Sequence, residues 1–141
     1  METRVEKTLE RLKKKYNCAQ SVACTYCDLV GMDEETMFRF TEAFGAGMGC
    51  AEGVCGAVSG ACALAGLKAS SGNLANPAGM RDSYRLSREM IRRFQEKNGT
   101  IICKELKGKE TGKMIRSCEG CIQDAAEIVE EVLFEDWFIG V

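Results

Sequence analysis

The sequence predicts an all-α fold, a compact helical bundle of about five to six helices around a buried helix rich in glycine and alanine. Two observations support this prediction. Apolar residues recur at helical spacing in several segments, and the alternating apolar and polar pattern typical of strands persists nowhere in the chain. Because 141 residues suffice for one hydrophobic core, we expect a single helical domain over residues 1–141.

The first segment, residues 1–16, predicts a helix. Val5, Leu9 and Leu12 share one face, and Lys and Arg residues occupy the other. The same register can continue beyond this segment. Cys18 then falls on the buried side, near the end of one helix or the start of another.

A second helix is expected to open at Asp33, because aspartate is a good N-cap and two glutamates follow it in the first turn. Its apolar side would consist of Met37, Phe38, Phe40 and Phe44. Gly45 is expected to end this helix and to begin a glycine-rich loop.

The central stretch, residues 44–66, combines that glycine-rich loop with a run of small and apolar residues. Glycine permits positive φ angles and lets a neighbouring group approach closely. The run predicts a helix from about Val54 to Leu67 that is apolar nearly all round and therefore buried. Cys55 stands near its start, where the helix dipole favours a thiolate.

The C-terminal half predicts two longer helices with a short segment between them. Asn76 as an N-cap and Pro77 as the first helical residue predict the start of a helix, which continues as an amphipathic helix over residues 83–95 and stops at Gly99. Residues 100–106 form either one or two helical turns or a brief extended piece. Ser117 can cap a last helix from Cys118 to about Phe134. The apolar tail must pack on the domain or on a second subunit; it comprises Phe134, Trp137, Phe138 and Ile139.

Composition limits where in the cell the protein is expected to act and which partners it is expected to bind. The net charge of −2 gives no general attraction to nucleic acid, and we expect no nucleic-acid partner. No apolar run approaches the roughly 20 residues of a membrane span, and no secretory signal pattern is present. We therefore expect a soluble cytoplasmic protein, in which the nine cysteines are not a disulfide framework.

The chain contains no histidine, and this excludes several kinds of site. No imidazole can bind zinc or haem or act as a general base. The two CxxC pairs, at Cys24 and Cys118, are not followed by histidine, so a c-type haem is excluded. A thioredoxin-like site is not expected either, because that site needs a βαβ context.

Four cysteines lie near the starts or junctions of separate helical segments: Cys18, Cys55, Cys103 and Cys118. A helical bundle can bring such positions together in its core. Four thiolates without histidine would suit a tetrahedral site for an iron–sulfur cluster or for zinc. The alternative is that these cysteines are small buried residues that only fill the core.

The remaining cysteines allow several interpretations. Cys24 and Cys27 could share one helix face as a redox disulfide or a metal pair. Cys121, one turn after Cys118, could serve as a spare ligand or a resolving thiol. Cys50 lies in the glycine loop, whereas Cys62 is expected to be packing.

Several of these residues resemble the motifs of a known family. Cys18 lies in the sequence Asn-Cys-Ala-Gln, and Cys55 opens the sequence CGAVSGA after the glycine loop. Cys103 with Leu106, and Cys118 with the Asp-Ala that follows six residues later, resemble the third and fourth motifs. The chain is thus similar to the C_GCAxxG_C_C family, which is named for these cysteines and described as redox-active.

The resemblance implies a redox role without naming a substrate. The family resembles a domain of the split-Soret cytochromes, which carry haem and an iron–sulfur centre. The haem part cannot apply to a chain without histidine. The iron–sulfur part implies Cys18, Cys55, Cys103 and Cys118 as ligands, with Cys50 or Cys121 as substitutes.

Three hypotheses follow. The first is an iron–sulfur protein for electron transfer or redox sensing with a partner protein. The second is metal-free thiol–disulfide chemistry, with Cys55 as the activated thiolate and Cys50, Cys103 or Cys118 as the resolving partner. The third is a binding module with a structural zinc. The apolar tail and the glycine- and alanine-rich helix also favour a homodimer.

Overall fold

The computed structural model describes residues 1–138, and this part of the chain is all-helical, with eight helices and no strand. The helices are α1 (Val5–Lys13), α2 (Cys18–Tyr26), α3 (Glu34–Thr41), α4 (Gly56–Ala69), α5 (Arg81–Asn98), α6 (Cys103–Lys107), α7 (Cys118–Val132) and α8 (Glu135–Phe138). The expected number of five to six is not confirmed, because the short helices α6 and α8 add to six longer ones.

Several helix ends form where the sequence predicts them, but the helix start predicted at Pro77 is wrong, because α5 begins at Arg81. The Asp33 side chain accepts a hydrogen bond from the Thr36 amide at 2.9 Å and caps α3. Gly99 ends α5 with a φ of 79°, a left-handed conformation that glycine adopts without strain. The Ser117 hydroxyl accepts a hydrogen bond from the Gly120 amide at 3.0 Å and caps α7.

Helix α4 packs on α2 through glycine. A Cβ atom added at Gly60 would lie 2.6 Å from the carbonyl oxygen of Ala19 in α2. The two helices therefore approach backbone to backbone, which no larger residue at this position would allow. One face of α4 is buried, but Leu67 on the opposite face is exposed, so α4 is not enclosed on all sides.

The C-terminal apolar residues pack on the N-terminal half of the chain. The rings of Phe134 and Phe138 lie 6.0 Å and 6.1 Å from the ring of Tyr26 in α2. Trp137 is partly exposed, and Ile139 lies outside the described residues. Within residues 1–138, no helix combines the length and the apolar character that crossing a membrane requires.

Candidate functional site

Four cysteines stand at the N-terminal ends of four helices. Cys18, Cys103 and Cys118 are the first residues of α2, α6 and α7, and Cys55 is the N-cap residue of α4. Free amide groups and the positive end of the helix dipole make this position favourable for a thiolate. The sequence places Cys55, Cys103 and Cys118 near helix starts and leaves Cys18 between the end of one helix and the start of another. Only the folded chain brings the four helix ends together.

A short antiparallel contact places Cys55 beside Cys103. The Cys55 amide donates to the Ile101 carbonyl at 2.6 Å, and the Cys103 amide donates to the Gly53 carbonyl at 3.0 Å. Between these bonds, Val54 and Ile102 form an isolated β-bridge. The segment over residues 100–106 is thus extended first and helical afterwards, so both conformations left open by the sequence occur.

A left-handed turn closes the site on the side of Cys103. Ala46, Gly47, Met48 and Gly49 all have φ between 54° and 78°. A Cβ atom added at Gly47 would lie only 2.4 Å from the Cβ of Cys103. Gly47 is therefore required twice, for the positive φ and for the close contact with Cys103.

The thiols form two contacting pairs. Cys18 lies beside Cys118, and Cys121 lies beside Cys55. The interaction with the partner thiol lowers the pKa of Cys118 to about 5 and that of Cys55 to about 7. The pKa of the other member of each pair, Cys18 or Cys121, is raised well above its usual value by the interaction with the partner thiol and by burial.

The remaining members of the site are Cys103 and Lys107. Cys103 lies near both Cys55 and Cys118, and burial raises the pKa of its thiol. The Lys107 ammonium lies near Cys118 and contributes to the low pKa of that thiol. We call Cys18, Cys55, Cys103, Cys118 and Cys121 the thiol pocket.

The two pairs differ in exposure. Cys18 and Cys118 are partly exposed, whereas Cys55 and Cys121 are only 3% and 0% exposed. The thiol pocket therefore has an outer pair, Cys18 and Cys118, that solvent can reach. Its inner pair, Cys55 and Cys121, is covered by protein.

The other four cysteines have separate surroundings. The Cys24 thiol donates to the Glu34 carbonyl at 3.9 Å, and the Cys27 thiol donates to the Cys24 carbonyl at 3.3 Å. Burial raises the pKa of Cys24 to about 12. Cys50 is exposed and donates to the Gly47 carbonyl at 3.6 Å. Cys62, in α4, contacts Ser87 of α5.

Sequence reasoning gave one member of the site a minor role and missed another. Cys121 was expected as a spare ligand or a resolving thiol, and Lys107 was not considered. The spacing of both residues could have indicated them, because Cys121 follows Cys118 by three residues and Lys107 follows Cys103 by four, which places each pair on one helix face. This spacing identifies them as site residues only when the helices that pack against that face are known.

The donor chemistry of the thiol pocket suits a soft metal centre. Buried thiolates at helix ends are the ligands of iron–sulfur clusters and of structural zinc. In residues 1–138, however, no group of three or more cysteine, aspartate or glutamate side chains is arranged to hold a single metal ion. The residues fit such a centre by chemical type, and a metal would require the thiols to rearrange.

Fold and site together define a small all-α protein with a thiol pocket built at four helix ends. A family model described as "putative redox-active protein (C_GCAxxG_C_C)" matches residues 16–132, and the chain belongs to this family. No curated protein and no solved structure matched the chain. The match begins before Cys18 and ends with α7, so it includes every residue of the thiol pocket.

Proposed function

We propose that the protein works by reversible disulfide formation in the thiol pocket, either to transfer electrons or to sense oxidation. The observation that carries this proposal is the contact of Cys18 with Cys118 and of Cys55 with Cys121. Each pair contains one sulfur with a lowered pKa and one protonated thiol. A dithiol that is poised to form a disulfide needs this combination, because the thiolate attacks first and the second thiol resolves.

Cys118 is the proposed entry point, in place of the Cys55 that the sequence favoured. Cys118 is partly exposed and has the lower pKa, whereas Cys55 is buried. The Cys118 thiolate attacks one sulfur of an incoming disulfide, forming a mixed disulfide and releasing one thiolate. Cys18 then loses its proton and attacks the Cys118 sulfur, which releases the second thiolate. The incoming disulfide is reduced to two thiols, which take up the Cys18 proton and one proton from solvent.

The inner pair exchanges with the outer pair. Cys103 lies near both Cys55 and Cys118 and gives a path for thiol–disulfide exchange between the pairs. The external reactant is a disulfide or dithiol of a partner protein, which meets the outer pair at the surface.

Equilibration with mixtures of reduced and oxidised glutathione tests this proposal. The protein is quenched by alkylation, and disulfides are assigned by peptide mass spectrometry. We expect a reversible Cys18–Cys118 disulfide that is lost in Cys118→Ser and kept in Cys62→Ser, the control within α4. A metal-free protein whose pocket thiols stay reduced at every ratio would contradict the proposal.

An iron–sulfur cluster is the second candidate, and the convergence of five cysteines on one pocket favours it. Cys18, Cys55, Cys103 and Cys118 would hold the cluster, with Cys121 as the nearest substitute. The cluster would supply one-electron chemistry. In this case anaerobically purified protein contains iron and acid-labile sulfide in matching amounts, Cys55→Ser loses them, and Cys62→Ser retains them. Full iron in Cys55→Ser would exclude this ligand set.

A structural zinc site is the third candidate. Zinc in a fixed ratio to a colourless protein, together with unfolding on chelation, would identify this site instead.

A homodimer is proposed because apolar side chains remain exposed, notably Leu74 at 93% and Phe40 at 53%. Sedimentation velocity distinguishes the dimer from the monomer, and Leu74→Ser is expected to weaken the dimer.

A further inference from the structure

Arg116 connects the helix that Cys103 begins to the helix that Cys118 begins. Its backbone amide donates a hydrogen bond to the Leu106 carbonyl of α6 at 3.2 Å. Its guanidinium donates from Nε and Nη2 to the two carboxylate oxygens of Asp124 in α7, each at 3.1 Å. The main chain of Arg116 is therefore bound to α6 and its side chain to α7, two positions before Cys118.

The carboxylate that Arg116 binds is itself held in place. Asp124 is only 6% exposed. The side-chain amide of Asn98, a buried residue at the end of α5, donates to the same carboxylate at 3.1 Å. A two-point contact between arginine and a carboxylate fixes the direction of the guanidinium as well as its distance. The orientation of the Arg116 side chain is thus set by a group that is held between α5 and α7.

Gly120 provides the space that this contact needs. A Cβ atom added at Gly120 would lie 2.4 Å from Nε of Arg116 and 2.7 Å from its Cδ. The Arg116 side chain therefore crosses the first turn of α7 directly over the backbone of Gly120 to reach Asp124. Gly120 lies within the helix and does not have a positive φ, so the passage of the arginine, and not a turn, requires glycine between Cys118 and Cys121.

We propose that Arg116, bound to Asp124 across Gly120, is a positioning residue that holds Cys118 within reach of Cys18. The inference rests on the proposed disulfide chemistry. A disulfide within one chain is favoured by a high effective concentration of its two thiols, which requires that both are held in place. By binding to α6 and α7, Arg116 fixes the backbone that leads into Cys118, and it thereby raises the equilibrium constant for the Cys18–Cys118 disulfide.

Gly120→Ala tests this role, because it displaces the arginine without removing a charge or a polar group. The three atoms nearest to the new Cβ all belong to the flexible end of the Arg116 side chain, so the variant can fold with this side chain turned away. Alanine is also the better helix former. In glutathione redox buffers at pH 7, we expect the equilibrium constant for the Cys18–Cys118 disulfide to fall about tenfold, equivalent to about 30 mV for this two-electron couple.

Arg116→Lys shows whether the geometry or the charge matters. Lysine keeps the positive charge but cannot make the two-point contact with Asp124. We therefore expect Arg116→Lys to lower the equilibrium constant as Gly120→Ala does. A lysine variant with the wild-type equilibrium constant would show that a charge suffices, and it would overturn the positioning role.

Two control variants separate the position of Cys118 from overall stability. Gly66→Ala adds a Cβ to a helix at a place where no atom lies within 4 Å, and Tyr26→Phe removes a buried hydrogen bond at the other end of α2. Both should keep the wild-type equilibrium constant, and a fall of similar size in Tyr26→Phe would contradict a specific role of Arg116.

The outcomes distinguish this inference from the proposed function. Circular dichroism reports whether Gly120→Ala folds, and Arg116→Lys carries the test if it does not. A folded Gly120→Ala variant with the wild-type equilibrium constant would overturn the role of Arg116 alone. A wild-type protein without any reversible pocket disulfide would overturn the proposed function and this inference together.

Discussion

Cys18 lies beside Cys118, and each residue is the first of its helix. The contact joins the start of α2 to the start of α7, so the positive ends of both helices act on one pair of sulfurs. The pKa of Cys118 is the lowered one of the pair, because both the Cys18 thiol and the nearby Lys107 ammonium favour its thiolate. An ordinary packing contact between cysteines would not need this arrangement.

The first prediction concerns the reactivity of Cys118. Its pKa of about 5 keeps the sulfur ionised at neutral pH, so alkylation at Cys118 should already be fast there and slow only as the pH falls through this value. Cys18→Ala removes the neighbouring thiol that contributes most to the low pKa of Cys118. The midpoint of the alkylation profile should rise by at least about one pH unit.

Iodoacetamide labelling over a pH series, with the modified cysteine located by tandem mass spectrometry, measures this profile. Cys24→Ala is the control in the same helix, because Cys24 contacts the Glu34 carbonyl and not Cys118. An identical profile in Cys18→Ala and wild type would show that the Cys18 thiol does not stabilise the Cys118 thiolate.

The second prediction compares two glycines of the left-handed turn. Gly47 and Gly49 have φ of 61° and 78°, so alanine costs about 1–2 kcal/mol at either position. At Gly47 the new Cβ also meets Cys103, whereas at Gly49 no atom lies within 4 Å. Gly47→Ala should therefore lose about 1–3 kcal/mol more than Gly49→Ala in urea unfolding under reducing conditions. Equal losses of unfolding free energy in the two variants would mean that a Cβ atom at residue 47 does not clash with Cys103.

The third prediction concerns the contact between α2 and α4. Gly60→Ala would place a Cβ 2.6 Å from the Ala19 carbonyl oxygen and should lower the free energy of unfolding by about 1–3 kcal/mol. Gly66, in the same helix, has no neighbouring atom within 4 Å. Gly66→Ala should instead stabilise by up to about 1 kcal/mol through helix propensity. Denaturant unfolding of both variants measures whether their changes in the free energy of unfolding have opposite signs.

The fourth prediction concerns a buried hydrogen bond at the other end of α2. The Tyr26 hydroxyl donates to the buried Glu130 carboxylate at 2.5 Å, and the Arg4 amide donates to the same carboxylate oxygen at 2.8 Å. Tyr26→Phe should lower the free energy of unfolding by about 1–3 kcal/mol, because it removes a donor from a buried carboxylate. Tyr84→Phe, at an exposed position, should change it by less than about 0.5 kcal/mol. A Tyr26→Phe variant as stable as wild type would contradict this account of Glu130.

The sequence could predict the helical fold and the positions of Cys55, Cys103 and Cys118 near the starts of their helices. Asp33 and Ser117 are N-caps as expected, because capping depends on residues only a few positions apart. The glycines of the loop were noted as permitting positive φ, and Gly47 and Gly49 adopt it. Local sequence signals of this kind predict the structure because they do not depend on how the helices pack.

The sequence could not predict how the thiols pair. Whether Cys55 meets Cys121 or Cys103 depends on the tilt and depth at which four helices pack, and no local pattern encodes that. The same is true of Lys107, which looks like an ordinary surface lysine until its helix is placed against Cys118. The positive φ of Ala46, Met48 and Ala51 was also missed, because non-glycine residues adopt it only when tertiary contacts compensate the strain.

Disulfide mapping of the anaerobically purified, metal-free wild-type protein after oxidation with excess oxidised glutathione tests the central claim most directly. The thiol pocket predicts a Cys18–Cys118 bond, followed by a Cys55–Cys121 bond, while Cys24 and Cys27 remain reduced because their thiols are buried and protonated. A Cys24–Cys27 disulfide beside fully reduced pocket cysteines would contradict the claim that the thiol pocket is the redox centre.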